Sequence, residues 1–326
     1  MSLVSRVGSA AVGHLPDAAK QHLAQAISDQ RLAGRRWNRV RRALVSRGGD
    51  PTVEFELDGA RLQLPLSHRL PDYRRQDASY AANLGEVASR VADHGGTAMI
   101  DVGANIGDSV AVVKARVPEM AILCVDADPT YLPFLRANTV RWPDVEIAAP
   151  VLLGRRTEVA AGSLARANGT SRFDTSALGS SETTSLDDLL VQRARFARPA
   201  LLKSDTDGFE DHVLSGAGSL LSTVGPVLFL EYAPALLSAA GSDGLEMLAE
   251  LRRIGYERIA FYDKFGVLVA RCSLSDHALL RDLHAYAAGN SERGIDHFDV
   301  VVVTSEHRSI VDALTRDGSS PSPAGA

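Results

Sequence analysis

An apolar stretch that ends in an acid and then turns through two glycines, Asp101-Val102-Gly103-Ala104-Asn105-Ile106-Gly107, is the part of this 326-residue chain best suited to chemistry. Glycine adopts backbone conformations closed to other residues and lets the main chain approach a ligand closely. A turn of this kind at the start of a helix presents backbone N–H groups to a polar ligand, while Asp101 can accept hydrogen bonds from a cation or organise the loop. The glycine spacing separates cofactor classes. A dinucleotide fingerprint needs glycine at the first, third and sixth positions. Counted from Gly103, those positions hold Gly103, Asn105 and Asp108, so NAD and FAD are disfavoured. A Gly-Lys-Ser/Thr phosphate loop is missing too, which argues against ATP and GTP.

The next apolar run, Leu123-Cys124-Val125, delivers Asp126 to its end, where a carboxylate can accept hydrogen bonds from both hydroxyls of a ribose. Asp128 reads as a turn or N-cap residue before the helix that Pro129 begins. A second concentration of charge, Lys203, Asp205, Asp207 and Glu210, follows the apolar run Ala200–Ser204. It lies at the edge where open α/β sheets place their ligands. Glu231, at the end of Val227-Leu228-Phe229-Leu230-Glu231-Tyr232, projects toward the same crevice. Asp205, Asp207, Glu231 or a histidine could take a proton from a nucleophile, with Asp205 preferred. Lys203 could position a substrate or stabilise developing negative charge. The plainer alternative pairs Lys203 with Asp205 or Glu231 and leaves Glu210 supporting the first turn of a helix. Carboxylate oxygens also suit magnesium, which Asp205, Asp207 and Glu231 admit without favouring it. The histidines show no zinc spacing. His68 and His297 flank loops that could reach a substrate, although surface or capping roles are simpler; Tyr232 and Tyr262 read as packing residues at strand ends.

The elements that must carry these residues alternate. Strands are expected near 98–102, 121–126, 145–151, 200–204, 227–231, 258–262 and 298–303, with helices near 80–94, 107–116, 130–139, 210–221 and 245–254. This is the period of an α/β fold with a mostly parallel seven-stranded sheet. Residues 162–184, polar and rich in small side chains, read as a long connection or lid, and Leu186-Asp187-Asp188-Leu189-Leu190 opens a helix after it. Ahead of the sheet, a basic helical arm is expected over 1–50, with seven arginines and no acid between Arg31 and Arg47. The plainer reading of that arm is a solvated helical face; the other is contact with an anionic substrate, lipid or nucleic acid. A small β segment over 51–79 follows, with a hairpin turn at Asp58-Gly59, then the main domain over 80–316 and a disordered tail over 317–326.

Composition narrows the field. A net charge of −5 provides no global attraction for nucleic acid, and none is expected as a partner. No apolar stretch reaches membrane-helix length, and the N-terminus lacks the apolar core of a signal peptide. Two cysteines, Cys124 and Cys272, lie in stretches that read as strands and suit reduced, buried thiols in a cytoplasmic protein.

Three ordered blocks carry a family resemblance: Asp101 to Ser109, Asp126-Ala127-Asp128-Pro129, and Leu202-Lys203-Ser204-Asp205-Thr206-Asp207-Gly208-Phe209-Glu210. Together with Thr184-Ser185-Leu186-Asp187 between the last two, they resemble the FkbM family of S-adenosylmethionine-dependent methyltransferases over roughly Tyr80 to Pro234. The resemblance implies a Rossmann-like methyltransferase fold with helices on both faces of the sheet. It implies S-adenosylmethionine as cofactor, with Asp101, Gly103, Asn105 and Gly107 lining its methionine and ribose side and Asp126 holding the ribose hydroxyls. Ala104, Ser109 and Ala127 complete the cofactor set. Asp205, Lys203 and Glu231 are the catalytic candidates. The family's Glu-Pro-Asn-Pro stands here as Asp126-Ala127-Asp128-Pro129, and its Lys-Ile-Asp-Val-Glu-Gly as Lys203-Ser204-Asp205-Thr206-Asp207-Gly208, which leaves substrate choice open. The expected activity is O-methylation of a hydroxyl on a sugar or glycan. The alternatives are a polyketide or other secondary-metabolite hydroxyl, and a non-catalytic nucleotide-binding scaffold. The sequence leaves the oligomeric state open.

Overall fold

The structure, a computed structural model, describes residues 9–29, 31, 34–167, 170–174, 176–290 and 294–314; the tail read as disordered lies outside them. The chain enters through helices Asp17–Ser28 and Arg35–Arg47 and a hairpin of β1 (Thr52–Leu57) and β2 (Ala60–Pro65). Asp58 and Gly59 take positive φ values of 47° and 80°, the conformation a two-residue turn needs to pair Leu57 with Ala60.

The basic segment is more than a solvated face. Leu23, Ile27, Val40 and Leu44 form one buried cluster with Leu62 and Leu64 of the hairpin, with Ile106 of the glycine turn and with Ala111 and Val112 of the helix after it. Arg41 is drawn inward: its Nε and Nη2 donate to the Leu66 carbonyl at 3.1 and 2.9 Å, and Nη1 pairs with Asp72 at 2.6 Å. Arg35, Arg36, Arg39, Arg42 and Arg47 keep the solvent exposure expected of them. The helical period set the apolar stripe, and burial of that stripe fixes the arm in place.

The main domain begins with helix Ala82–Asp93 and strand β3 (Ala98–Val102), helix Asp108–Arg116, β4 (Ala121–Val125), helix Leu132–Thr139 and β5 (Val145–Ala148). The stretch read as a connection contains strands instead. β6 (Leu152–Leu153), β7 (Glu158–Ala161) and β10 (Ser180–Thr184) form one small sheet, and β8 (Ser163–Ala167) pairs with β9 (Thr170–Asp174) as a separate hairpin. Short strands of small polar residues lack the apolar alternation that sequence reading relies on. The expected helix Glu210–Leu221 is two, Glu210–Ser215 and Gly218–Thr223. Gly216 interrupts it by packing on Gly154, and Asp187 caps the second piece by accepting from the N–H groups of Ser219 and Leu220 at 2.7 and 2.9 Å.

The sheet is completed by β11 (Leu201–Ser204), β12 (Val227–Tyr232), β13 (Tyr256–Tyr262), β14 (Leu268–Ser273) and β15 (Phe298–Thr304). Among the described residues its order is β14-β13-β15-β12-β11-β3-β4-β5. The sheet has eight strands rather than the expected seven; the extra one, β14, surrounds Cys272 and pairs antiparallel with β13 at the edge. β15 is inserted antiparallel between β12 and β13, so six strands share one direction. Apolar clusters cover both faces, as parallel strands require. Cys124 and Cys272 are free and buried, and Tyr232 and Tyr262 are packed into the core as expected.

Because Leu44 is fully buried between the arm and the main domain, Leu44→Ala is expected to destabilise the protein by about 2–5 kcal/mol. Urea denaturation checks it: an unchanged midpoint would mean that the arm is not part of the cooperative unit.

Candidate active site

The C-terminal ends of β3, β4, β11 and β12 open into a cleft of about 540 Å³. Its floor is built by the glycine turn. Gly103 has φ of +76°, and a Cβ there would overlap the Asp205 carbonyl oxygen, so the turn after β3 and the loop after β11 fit only with glycine at this position. Gly103 and Ala104 donate their N–H groups to Val125 O at 2.9 and 3.2 Å, tying the turn to the end of β4.

Asp126 lines the cleft at that end. Its Oδ2 accepts the Asn105 N–H at 2.7 Å and its Oδ1 the Asp128 N–H at 2.8 Å, which leaves each oxygen with further acceptor capacity. Burial raises its pKa, against the pull of those two N–H groups. Asp128 is a different kind of acid. Its Oδ1 accepts the Thr130 N–H at 2.8 Å, as the turn reading expected, and the Arg166 guanidinium grips both of its oxygens. Burial works against its charge, but the hydrogen bonds from Arg166, Ser171 and Thr130 win and hold the carboxyl at about 2.

At the other end of the cleft stand Lys203, Asp205, Asp207, Glu231, Asp299 and His297. Lys203 Nζ donates to Asp101 Oδ1 at 2.9 Å and lies 3.8 Å from Asp205 Oδ2; these carboxylates overcome the penalty of burial and raise its pKa. Lys203 therefore keeps its charge and acts as a fixed cation rather than a base. The Asp205 side chain is 52% exposed. Burial, with Asp205, Glu210 and Asp207 nearby, pushes the Glu231 pKa well above the ordinary carboxylate value. Burial likewise lifts Asp299 to about 6, even though Asn83 donates to its Oδ2 at 2.7 Å.

The two cleft histidines differ in what they leave free. His68 Nδ1 accepts the Leu70 N–H at 3.1 Å, so Nε2 carries the proton and faces Asn105 Oδ1 at 3.3 Å; both nitrogens are engaged. Burial lowers its pKa. His297 pairs through Nδ1 with Asp296 at 2.9 Å, which assigns the lone pair of the neutral ring to Nε2. Burial opposes its charge, but Asp296 and the carboxylates Asp299 and Asp205 raise the pKa.

Of the residues singled out from the sequence, Gly103, Asn105, Ser109, Asp126, Ala127, Lys203, Asp205 and Glu231 line the cleft. Asp101, Ala104 and Gly107, placed by the resemblance against the cofactor, are buried behind its wall. Asp101 is occupied by Lys203 and by Ser109 Oγ, which donates to Oδ2 at 2.5 Å. Each of its oxygens is thus engaged, one by β11 and one by the helix that follows the glycine turn. Tyr73, Tyr80, Asn83, Leu164, Phe173 and Asp299 also line the cleft and were missed. The lone acid in Phe298-Asp299-Val300-Val301 was a readable signal for the last of these. No three His, Cys, Asp or Glu side chains among the described residues converge to hold a metal ion.

A first run of strands ordered 3-2-1-4-5 from one edge, followed by an inserted antiparallel strand, with the cleft at the strands' C-terminal ends, is a Rossmann-like methyltransferase sheet. Residues 101–258 match the family model described as the methyltransferase FkbM domain, and the resemblance read from the three sequence blocks is thereby borne out. No curated protein matches the chain. Solved structures similar to it include the methyltransferase FkbM from Methylobacillus flagellatus KT, at 18% identity and TM-score 0.37, covering 50% of this chain and 39% of that one. This chain thus spans about two-fifths of that protein's length. Others are the cofactor-bound Rv0187 from MTB (12% identity, TM-score 0.38, 67% of this chain and 78% of that one) and the plantazolicin methyltransferase BamL in complex with a triazolic desmethylPZN analog and SAH (8% identity, TM-score 0.41, 72% and 88%).

Glu210, fully buried, accepts the Thr206 N–H at 2.6 Å and the Thr206 hydroxyl at 2.8 Å, yet burial still raises its pKa to about 7. A carboxyl whose pKa is higher folded than unfolded binds more protons in the folded state, so its contribution to stability falls as pH rises from the unfolded value to about 7. Glu210→Gln is expected to lessen that fall, gaining on the wild type between pH 5 and pH 8. Denaturant midpoints at the two pH values measure it, and parallel shifts in both proteins would mean that Glu210 does not titrate there.

Proposed function

We propose that the protein is an S-adenosylmethionine-dependent O-methyltransferase acting on a sugar or glycan hydroxyl. The observation that carries the cofactor assignment is Asp126: an acid at the end of the strand after the glycine turn, facing the cleft, with both oxygens already aligned by backbone N–H groups. Such a carboxylate suits a ribose diol. The rest of the cleft fits the same molecule. Val125, Ala127, Val151, Leu152 and Leu153 give an apolar wall suited to a purine, and the carboxylates of Asp108, Asp205 and Asp207 suit cationic groups. S-adenosylmethionine would supply a methyl group on a sulfonium centre.

The chain's own task is then to align a hydroxyl and take its proton. Asp205, partly exposed in the cleft beside Lys203, is the proposed proton acceptor. Lys203 would offset negative charge developing on the acceptor oxygen. Glu231, which burial pushes toward its neutral form, would hydrogen-bond an acceptor hydroxyl. A sugar suits this end because it offers several hydroxyls to a surface dense in polar groups. One observation favours a second reading of the proton acceptor, namely the open Nε2 of His297. The two buried thiols fit a reducing compartment, the cytoplasm.

Calorimetric titration with S-adenosylmethionine, S-adenosylhomocysteine and NAD, with and without EDTA, tests the cofactor. The first two should bind saturably and NAD should not. Asp126→Ala should weaken S-adenosylhomocysteine by roughly 10- to 100-fold, the range for lost hydrogen bonds to a charged group. Unchanged affinity would remove the ribose assignment.

For the chemical step, Asp205→Asn should lower turnover on a panel of sugars by about 100-fold or more, with cofactor affinity kept. If turnover survives in that variant and collapses in His297→Asn, with loss of an acid limb in the pH profile, His297 is the proton acceptor instead.

A further inference from the structure

The hairpin of β8 and β9 is held over the cleft by contacts that neither the glycine turn nor the acidic end uses. In its register Leu164 faces Phe173 and Arg166 faces Ser171. Alternation along the strands places all four on one face of the ribbon. Leu164, Ser171 and Phe173 line the cleft. From the same face Arg166 reaches Asp128, with Nε donating to Oδ2 at 2.5 Å and Nη2 to Oδ1 at 2.7 Å, and the Ser171 hydroxyl joins them on Oδ2. Phe173 is buried edge-on against Phe209, their ring centroids 5.3 Å apart.

The ribbon therefore bridges two loops. Asp128 lies two residues past Asp126 on the loop after β4, and Phe209 closes the loop after β11. An isolated two-stranded hairpin is marginal in water, so these two anchors set where its inner face stands. The Arg166–Asp128 contact is better than an ordinary surface pair, because the guanidinium fork meets a carboxylate that is 1% exposed.

We propose that this inner face is the adenine-binding wall of the cofactor site, with Leu164 and Phe173 as its apolar surface and the Arg166–Asp128 fork as the strut that fixes its distance from Asp126. The proposal rests on the S-adenosylmethionine reading above. A purine needs flat apolar surface on both sides, and Val151, Leu152 and Leu153 line the same cleft. A wall fixed before binding spares the ligand the entropy of ordering it.

The test is calorimetry of S-adenosylhomocysteine on the full chain and on Arg166→Ala, Arg166→Lys, Phe173→Ala and Leu164→Ala, each with a thermal melt. Arg166→Ala and Phe173→Ala should each raise Kd by about tenfold. Arg166→Lys should not restore affinity, since an ammonium cannot form the fork. Leu164→Ala leaves both anchors in place, so it should weaken binding and make the heat-capacity change of binding less negative while its melt stays that of the wild type. Wild-type binding with Kd unchanged in Leu164→Ala and in every other folded variant overturns the wall and leaves the cofactor reading intact. A wild type that binds no S-adenosylhomocysteine overturns the cofactor reading, and the wall with it.

Discussion

A lysine and an aspartate face each other across two neighbouring parallel strands, both nearly excluded from water. Lys203 and Asp101 are register partners of β11 and β3, joined at 2.9 Å, with the Ser109 hydroxyl on the second Asp101 oxygen. Removing either partner of such a buried pair leaves an uncompensated charge, which destabilises by about 3–5 kcal/mol. The pair fixes the strand ends from which both loops of the site depart. The loop after β3 must be glycine where it meets the loop after β11, and that contact brings Asp205 to the cleft. The ammonium is also a fixed positive charge within the acidic half of the cleft.

Charge is divided along the cleft. At one end Asp126 and Asp128 belong to the loop after β4, one aligned by backbone N–H groups and the other neutralised by Arg166. At the other end several acids share one space, and burial with mutual repulsion leaves Glu231 and Asp299 with raised pKa values. The antiparallel insertion of β15 is what crowds them. Because that strand runs opposite to β12, it starts where β12 ends and sets Asp299 directly across from Glu231.

The parts of the site that follow from local chemistry were legible in the sequence. The glycine turn, Asp126 and the cluster from Lys203 to Asp207 each sit where an apolar run stops, and that position alone brings them to the ligand edge. The helix starts and the Asp58-Gly59 turn were legible for the same reason. What could not be read depends on partners remote in the chain. Asp101 read equally as a ligand contact or as an organiser of its loop, and the partner that engages it, Lys203, lies 102 residues on. The β8–β9 ribbon has little strand character of its own and stands where Asp128 and Phe209 anchor it. The arm's arginines dominated its composition, whereas its few apolar residues decide where it packs.

That packing sets an order of events during synthesis. The arm and the first hairpin are made early, yet the residues that cover them, Ile106, Ala111, Val112 and Tyr131, come 40 or more residues after the hairpin ends. Asn138, which donates to Gln63 O at 2.8 Å and accepts the Gln63 N–H at 2.7 Å, comes later still. Contacts so distant in sequence form slowly, because the intervening chain must first be ordered. In a growing chain Leu44, Leu62 and Leu64 are therefore made before the partners that complete their cluster, which closes only once the helix after the glycine turn has been added.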